Sequence, residues 1–362
     1  MIPRPNLAKG ETDSFKVPDG VFCARDNTSM SMPAMPTHFS LRSEIIDYTK
    51  KSVNWISEYY EQALNLTRYD YLNQDLSLYG NRQLVIVHDF NTGIAYIMDP
   101  EIGNCTIQPI QKAGYDDKDV GQGVRIRSPS EFFDLGKYHY VYVGQRQERG
   151  IACDVWVTQR TDWPPPGPSY TTTWEYYFSA GVQEEVGTQQ VYSVPIKLKI
   201  TAANPSINVQ YNWYEFNTDH SSFHNYDIGQ CFNGSYRADY LIVVPGNYRG
   251  LVWASPVIFK RLVIISISAQ ALVSPLRVSN VQTSFNGTGL LISFSLLDKA
   301  GITGDVANPA IQPKLDTAIA SLNTALDFRN FTILVQDPFI SGGFQNLRVD
   351  SYSYTRGEPF GR

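Results

Sequence analysis

The chain of 362 residues lacks any long hydrophobic run. Its longest apolar stretch, Leu262-Val-Ile-Ile-Ser-Ile-Ser-Ala-Gln-Ala-Leu-Val, is too short and too polar to span a bilayer. No apolar segment follows Met1-Ile-Pro-Arg-Pro-Asn, so an export signal is missing as well. Charge of one sign is also scarce. The formal net charge is −5 with both signs interspersed, which excludes the basic stripe that nucleic acid or an anionic membrane surface would require. Catalytic templates are absent: there is no GxSxG, no HExxH, no Gly-rich phosphate loop and no GxGxxG. Neither an enzyme nor a cofactor is therefore expected. Cysteine is sparse, with Cys23, Cys105, Cys153 and Cys231 scattered along the chain. They form no CxxC and match no zinc spacing.

What is present is aromatic. The chain has 23 Tyr, 18 Phe and 6 Trp, residues that favour pleated surfaces. Asn-x-Ser/Thr acceptor sequences stand at Asn27, Asn65, Asn104, Asn233, Asn286 and Asn330, all expected to carry glycans, with Asn104 the exception if Cys105 ties it down. Four cysteines beside these sequons point to an oxidising compartment and two disulfides, of which four cysteines allow three connectivities. An extracellular or lumenal (lysosomal or secretory) glycoprotein without an export signal is a contradiction. A fragment resolves it: Met1 is then internal, and sequence beyond Arg362 is where a membrane association would arise. Oligomeric state is not legible.

Residues 1–38 read as a linker rich in Pro, Ser, Met and Asp. From Phe39 short alternating runs begin: Phe39–Ile45, Val53–Tyr60, Leu64–Leu72 and Gln83–Phe90. Asn91-Thr-Gly93 then separates two apolar runs, a hairpin signal. An amphipathic helix over 44–64 competes with strands there, given its Glu, Lys and Ala. Residues 111–130 form a charged, Gly-rich loop. Strand-like runs return at Tyr138–Gly144, Ile151–Thr158, Tyr170–Ser179, Val191–Ala202 and Ile207–Phe216, with the rigid Pro164–Pro168 segment between two of them. Beyond Cys231 the texture changes. Apolar residues at Ile311, Leu315, Ala318, Ile319, Leu322 and Leu326 predict a helix, and Asn330-Phe-Thr-Ile-Leu-Val-Gln a strand. The expected division is a mainly β, strongly bent antiparallel sheet over 39–240 and a small α+β module over 255–362.

Isolated groups that could carry chemistry have ordinary explanations. His220 and His224, four apart beside Asp219, could share a metal on a helix, but Asp219–His224 reads as a turn. Asp116, Asp117 and Asp119 offer oxygen ligands without the calcium-loop pattern, so a solvated charge run is expected. His88-Asp89 could be a base and its orienter, yet no nucleophile is spaced for them. Metal sites are accordingly not expected. The aromatic set Trp55, Tyr59, Trp156, Trp174, Tyr176, Phe178, Trp213 and Phe216 is either core or the lining of an apolar concavity. Side chains of a strand alternate between faces, so each of three strands offers one apolar face. The expected ligand-lining set is Val155 and Val157 (with Ile151 and Cys153), then Trp174, Tyr176 and Phe178, then Val194, Ile196, Leu198 and Ile200.

Val87-His-Asp-Phe-Asn-Thr-Gly-Ile-Ala-Tyr-Ile-Met-Asp-Pro with Gly103-Asn-Cys105 resembles the strand-turn-strand segment of ependymin-related proteins. Arg149-Gly-Ile-Ala-Cys-Asp-Val-Trp156, Thr173–Ser179, Val194-Pro-Ile-Lys-Leu and Phe223–Cys231 are similar to invertebrate extracellular proteins with LolA-like domains. The resemblance spans about 39–232, with Ser274-Pro-Leu-Arg-Val278 a weaker continuation. It implies a half-open antiparallel barrel whose concave face, under a helical lid, holds a lipid or other hydrophobic ligand. It also implies the pairs Cys23–Cys153 and Cys105–Cys231. The loop at 111–130 and the missing third cysteine pair depart from the ependymin-related pattern. A non-catalytic lipid-binding domain is the first functional expectation. The second is a structural or adhesion ectodomain module, without ligand, of a larger membrane-anchored protein.

Overall fold

The computed structural model describes residues 18–22, 30–72, 80–112, 114–164, 167, 170–181, 183–185, 188–190, 193–287, 289–337, 339–340 and 342–356. Cys23, Asn27, most of the 1–38 linker and of the Pro164–Pro168 run, and the first residues of the expected strand at 191 lie outside the described residues. The chain is mainly β and antiparallel, with a small helical portion towards the C-terminus. It forms two compact units, Met1–Glu58 with Arg127–Asp219, and Tyr59–Ile126 with His220–Arg362.

In the first unit the strand order is Ser52–Glu61 (to Glu58), His38–Asp47, Ile207–Asn217, Pro195–Ala202, Thr172–Ser179, Ile151–Arg160, Val141–Glu148. The alternation read at 39–60 thus resolves into two strands, not a helix. Val53, Trp55 and Tyr59-Tyr60 gain χ1-restricted, pleated positions that a helix would crowd. Arg149 and Gly150 both have positive φ (52° and 78°), the two-residue turn whose twist suits a tight hairpin. That turn sets the pairing from Ile151↔Glu148 to Val155↔Gly144, beyond which a bulge shifts the register to Trp156↔Tyr142.

In the second unit Leu66–Leu72, Gln83–Asp89, Ile94–Asp99 and Asn104–Pro109 form an antiparallel meander. The Asn91-Thr-Gly turn is where the sequence placed it. Gly93 has φ +75°, and a Cβ there would stand 2.5 Å from the backbone nitrogen of Asp305. Glycine is therefore required twice, for the turn and for the close passage of the 303–310 segment. That segment is pinned by Asp305 N–H to Gly93 O (3.1 Å) and Ala310 N–H to Asn91 O (2.8 Å).

The same unit contains a second sheet, ordered Val278–Phe285, Gly289–Leu297, Arg237–Pro245, Ser351–Arg356. One face is apolar: Ala238, Tyr240, Ile242 and Val244 face the same side as Leu290, Ile292, Phe294 and Leu296 across the ladder, all essentially inaccessible. Helices Pro256–Ala271 and Leu315–Asp327 cover it. The C-terminal helix buries Leu315, Ala318, Ile319, Leu322 and Leu326 as its spacing predicts. Ile311 is not part of it; it lies before Pro313, which cannot continue a helix backwards through its ring, and is 96% exposed. The helix Pro256–Ala271 is not anticipated from the sequence. Its β-branched Val and Ile residues are weak helix formers, but Phe259, Val263, Ile264, Ile267 and Ala271 fall on one helical face and are buried. Leu272 in the left-handed region (φ 57°) ends it.

Candidate functional site

The sheet of the first unit has two contrasting faces, and cross-strand register decides which residues share them. Trp156 lies opposite Tyr176, Tyr176 opposite Leu198, and Leu198 opposite Tyr211. Residues directly opposite in an antiparallel pair point to the same side. The aromatic face is therefore Trp156, Trp174, Tyr176 and Phe178 with Leu198, Ile200 and Trp213. Val155 and Val157 belong to the other face, opposite Tyr177 and Glu175, which corrects the expected lining set. Their strand is buried on both sides, so its own pattern contains no cue to which apolar set faces the rings. Ile196 is buried on the strand of Leu198. Val194 precedes that strand, its N–H donating to Ser179 Oγ at 2.9 Å.

The rings pack on one another. Tyr176 and Trp213 stack at 5.8 Å, Tyr176 and Phe178 at 5.9 Å, and Trp156 meets Phe178 edge-on at 5.8 Å. What covers them is a short helix, Pro129–Phe132, with a full capping box between Ser128 and Glu131. Phe133, just after it, contacts Trp213 at 5.6 Å, and Phe39 contacts both Phe132 and Phe133 at 5.3 Å. The Tyr176 hydroxyl donates to the Phe133 carbonyl. Burial pushes that hydroxyl's pKa well above its ordinary range, so it stays a donor. Trp156 Nε1 donates to the carbonyl of Met30 at 3.1 Å. Trp55, by contrast, is 51% exposed.

The opposite face is ionic. Glu175 is fully buried and held by Arg146 at 2.8 Å and Lys199 at 3.7 Å. Lys197 pairs with Glu148 at 2.8 Å, and Asn212 donates to Glu44 at 2.8 Å. Burial and Glu175 push the Tyr177 hydroxyl up to about 12. Cys153 is a free, buried thiol, which removes it from the expected Cys23–Cys153 pair. It lies opposite Ser179 in the interior of the sheet, with no cysteine facing it there. Burial, with Glu148 nearby, pushes it up to about 11.

In the second unit the Cys105–Cys231 disulfide forms, with Cα atoms 5.0 Å apart. His88 does not act with Asp89: neighbours on a strand point to opposite faces. Its Nδ1 is instead 2.8 Å from Asp116, which also accepts from Thr67 Oγ1. Asp116 and Asp117 are each only 1% exposed, so that part of the acidic run is not solvated. Asp119 faces outward to Lys112 at 3.2 Å and to the Gly121 N–H, so the three carboxylates do not converge. Long-range partners, invisible in sequence, decide this. His220 pairs with Glu61 at 3.1 Å, while His224 sits in the turn Phe223–Tyr226 and joins no three-ligand cluster among the described residues. The Asp219 N–H is held by Asn217 Oδ1 at 2.6 Å. Asn104, Asn233, Asn286 and Asn330 are exposed. Asn65 is the half-buried acceptor, its amide donating to Asn91 at 3.2 Å, whereas the doubtful position by sequence was Asn104.

A cavity of about 220 Å³ opens in this unit between the strand Ile94–Asp99, the segment Ser274–Arg277 and residues 299–312. Its walls are mostly apolar, with Asp89, Tyr96, Arg277 and Lys299 among them. Arg277 lies within a segment the sequence resemblance touches only weakly, and nothing local marks it as special.

Comparison with known proteins adds the family. The model of the metazoan second LolA-like domain matches residues 18–232. The chain belongs to that LolA-like family. Residues 258–354 match a domain of unknown function, DUF7959. No curated protein matches the LolA-like chain. Solved structures similar to it include an uncharacterized conserved protein from Thermus thermophilus at 10% identity, covering 52% of this chain and 83% of that one with a TM-score of 0.30. LprF from Mycobacterium bovis is similar at 8% identity, covering 51% and 88% with a TM-score of 0.29. A domain named for outer membrane lipoprotein sorting, from Vibrio parahaemolyticus, is similar at 9% identity, covering 50% and 85% with a TM-score of 0.24. No described helix is long and apolar enough to cross a membrane.

Proposed function

We propose that the chain is an extracellular or lumenal, non-catalytic glycoprotein domain that binds a lipid or other hydrophobic ligand on the aromatic face of its first sheet. The supporting observation is the cover on that face. Phe133, directly after a one-turn helix, packs on Trp213 and accepts the Tyr176 hydroxyl hydrogen bond. A four-residue helix held by its capping box costs little to displace compared with a second sheet. A ligand chain would take over the ring contacts that Phe133 and Phe39 now make. The disulfide and the exposed acceptor asparagines support an oxidising, glycosylating compartment.

A second reading is favoured by one observation. The rings already fill their own face, as a structural or adhesion module without ligand would have them. Native mass spectrometry of protein purified from animal cells separates the two. Bound acyl lipid, lost in Trp213→Ala, supports the carrier. Protein that stays lipid-free even after incubation with phospholipid vesicles, together with a Phe133→Ala variant that gains no ligand, supports the structural module. Glycosidase treatment that leaves the gel mobility unchanged would remove the glycoprotein part.

A further inference from the structure

The cavity in the second unit carries a different chemistry from the aromatic face. Arg277 forms part of its wall and is 4% exposed. Its Nε donates to the Leu297 carbonyl at 2.9 Å, and Nη1 to the Pro313 carbonyl at 2.7 Å and to Gln312 Oε1 at 3.4 Å. Nη2 is buried with no acceptor. No carboxylate of the described residues lies within ion-pair distance of the guanidinium, whereas the well-buried Arg146 and Arg160 of the first unit each meet one. Desolvation lowers its pKa to about 10, still charged at neutral pH. Its direct partners are carbonyl and amide oxygens, with Asp298 attracting it only from beyond ion-pair distance, and a buried cation so placed is costly unless an anion joins it. Carbonyl contacts alone would make Arg277 a strut between Leu297 and Pro313; they would leave the charge and Nη2 unanswered.

Tyr96, also on the wall, has a hydroxyl without a hydrogen-bond partner among the described residues. Asp89 is the one carboxylate on the wall, and its oxygens are taken by Asn91 and Thr92, at 3.0 Å from the Asn91 N–H and 2.6 Å from Thr92 Oγ1. It is therefore unavailable as the partner of Arg277. The rest of the lining combines Ile94, Leu276 and Ala300 with hydroxyl and amide groups and a second, exposed cation, Lys299, while Ile302 and Ile311 stand at 42% and 96% exposure. A buried cation with an exposed lysine nearby, one free hydroxyl and a short run of apolar side chains match a ligand with a charged head and a hydrocarbon chain. At roughly 30 Å³ for each water-sized group, the volume holds the head and first methylenes, the chain end leaving past Ile302.

We infer that this cavity binds a small amphiphilic anion of the medium-chain carboxylate class, its carboxylate held by Arg277 and Tyr96 and its chain by Ile94, Leu276 and Ala300. The site is separate from the proposed lipid face and stands without it.

The test uses octanoate and 1-octanol as probes, titrated into the full chain and followed by ligand-observed NMR and calorimetry. Octanoate is expected to bind at least about tenfold tighter than the alcohol, the usual margin of a charge-assisted contact. Arg277→Met should erase that preference, and Tyr96→Phe should reduce octanoate affinity a few-fold. Because Arg277→Met also removes two carbonyl contacts, Ala300→Trp serves as a second variant: it fills the channel, leaves Arg277 in place and should abolish octanoate binding in a chain whose far-UV spectrum is unchanged. Phe133→Ala should leave octanoate binding intact, which keeps failure of this site distinct from failure of the lipid face. Equal affinity for acid and alcohol, undiminished binding in Ala300→Trp, or no octanoate binding up to ~10 mM would each overturn the assignment.

Discussion

The first unit places buried charge against carboxylates and cations that pair with it; the second buries Arg277 with no carboxylate of the described residues at ion-pair distance. Glu175 is completely buried yet meets Arg146 and Lys199, and Arg160 is clasped by Asp134 at 3.1 Å and Asp162 at 2.9 Å while lying 3.8 Å over the Trp174 ring. Arg277 in the second unit hydrogen-bonds only to carbonyl and amide oxygens, Asp298 attracting it from a longer range. The cores differ in the same sense. Rings fill one, the polar handles of Trp156, Trp174 and Tyr176 hydrogen-bonded; a largely aliphatic set under two helices, with a Tyr240–Phe294 stack, fills the other. A closed ion network is structure, whereas a buried charge left open inside a cavity is where a ligand is expected.

The comparison can be broken most directly at the disulfide, which lies wholly in the second unit and joins residues 126 apart in sequence. Loop-closure entropy puts the cost of Cys105→Ser with Cys231→Ser at about 4–5 kcal/mol. Five of the six tryptophans, Trp55, Trp156, Trp163, Trp174 and Trp213, belong to the first unit. Denaturation followed by calorimetry should therefore show a destabilised transition while the tryptophan-fluorescence midpoint holds. Equal shifts in both signals would mean that the units unfold as one block.

Next in size is the ionic face. Arg146→Met strands the Glu175 carboxylate in the interior and should cost about 3–4 kcal/mol, since an unpaired buried charge is more damaging than a missing pair. The double variant Arg146→Met with Glu175→Met should recover most of that loss in urea unfolding. A double variant no more stable than the single one would show that the network is not the source.

Cys153 sharpens the picture of a sealed sheet. With its thiol pushed up to about 11, only on the order of one thiol in a thousand is ionised at pH 8. Alkylation by iodoacetamide should be at least about a hundredfold slower in the native chain than in urea. Rapid native labelling would place the thiol at an accessible edge.

The smallest expected effect is at Asp162. Its burial alone would raise the pKa, but hydrogen bonds from Arg160 and Lys137 outweigh it and hold the carboxyl well below the usual range. A lowered folded pKa gives stability that is full above the unfolded value near 4 and fades as pH falls below it. Asp162→Asn should therefore cost up to ~1 kcal/mol at pH 7, discounted for a side chain one-third exposed, and progressively less below about pH 4. A pH-independent deficit would assign the effect to geometry instead of charge.

Residue patterns alone determined a good deal about this chain. Alternation marked the strands of the first unit, Asn91-Thr-Gly marked a hairpin in the second, and the spacing from Ile311 to Leu326 marked a helix that forms from Leu315 onward, because these signals are local and depend on backbone geometry at fixed spacing. The motifs around Cys105 and Cys231 pointed to the bond that forms. The rest was settled only in three dimensions. Val155 and Val157 lie away from Trp174, Tyr176 and Phe178 because a strand buried on both sides has two apolar sets, and only register with its neighbours selects one. Helix Pro256–Ala271 forms against its β-branched composition because burial of one face outweighs propensity. His88 chose Asp116 over its neighbour Asp89, and Arg277 became a buried cation, because both depend on segments brought together from far along the chain, where sequence spacing carries no distance.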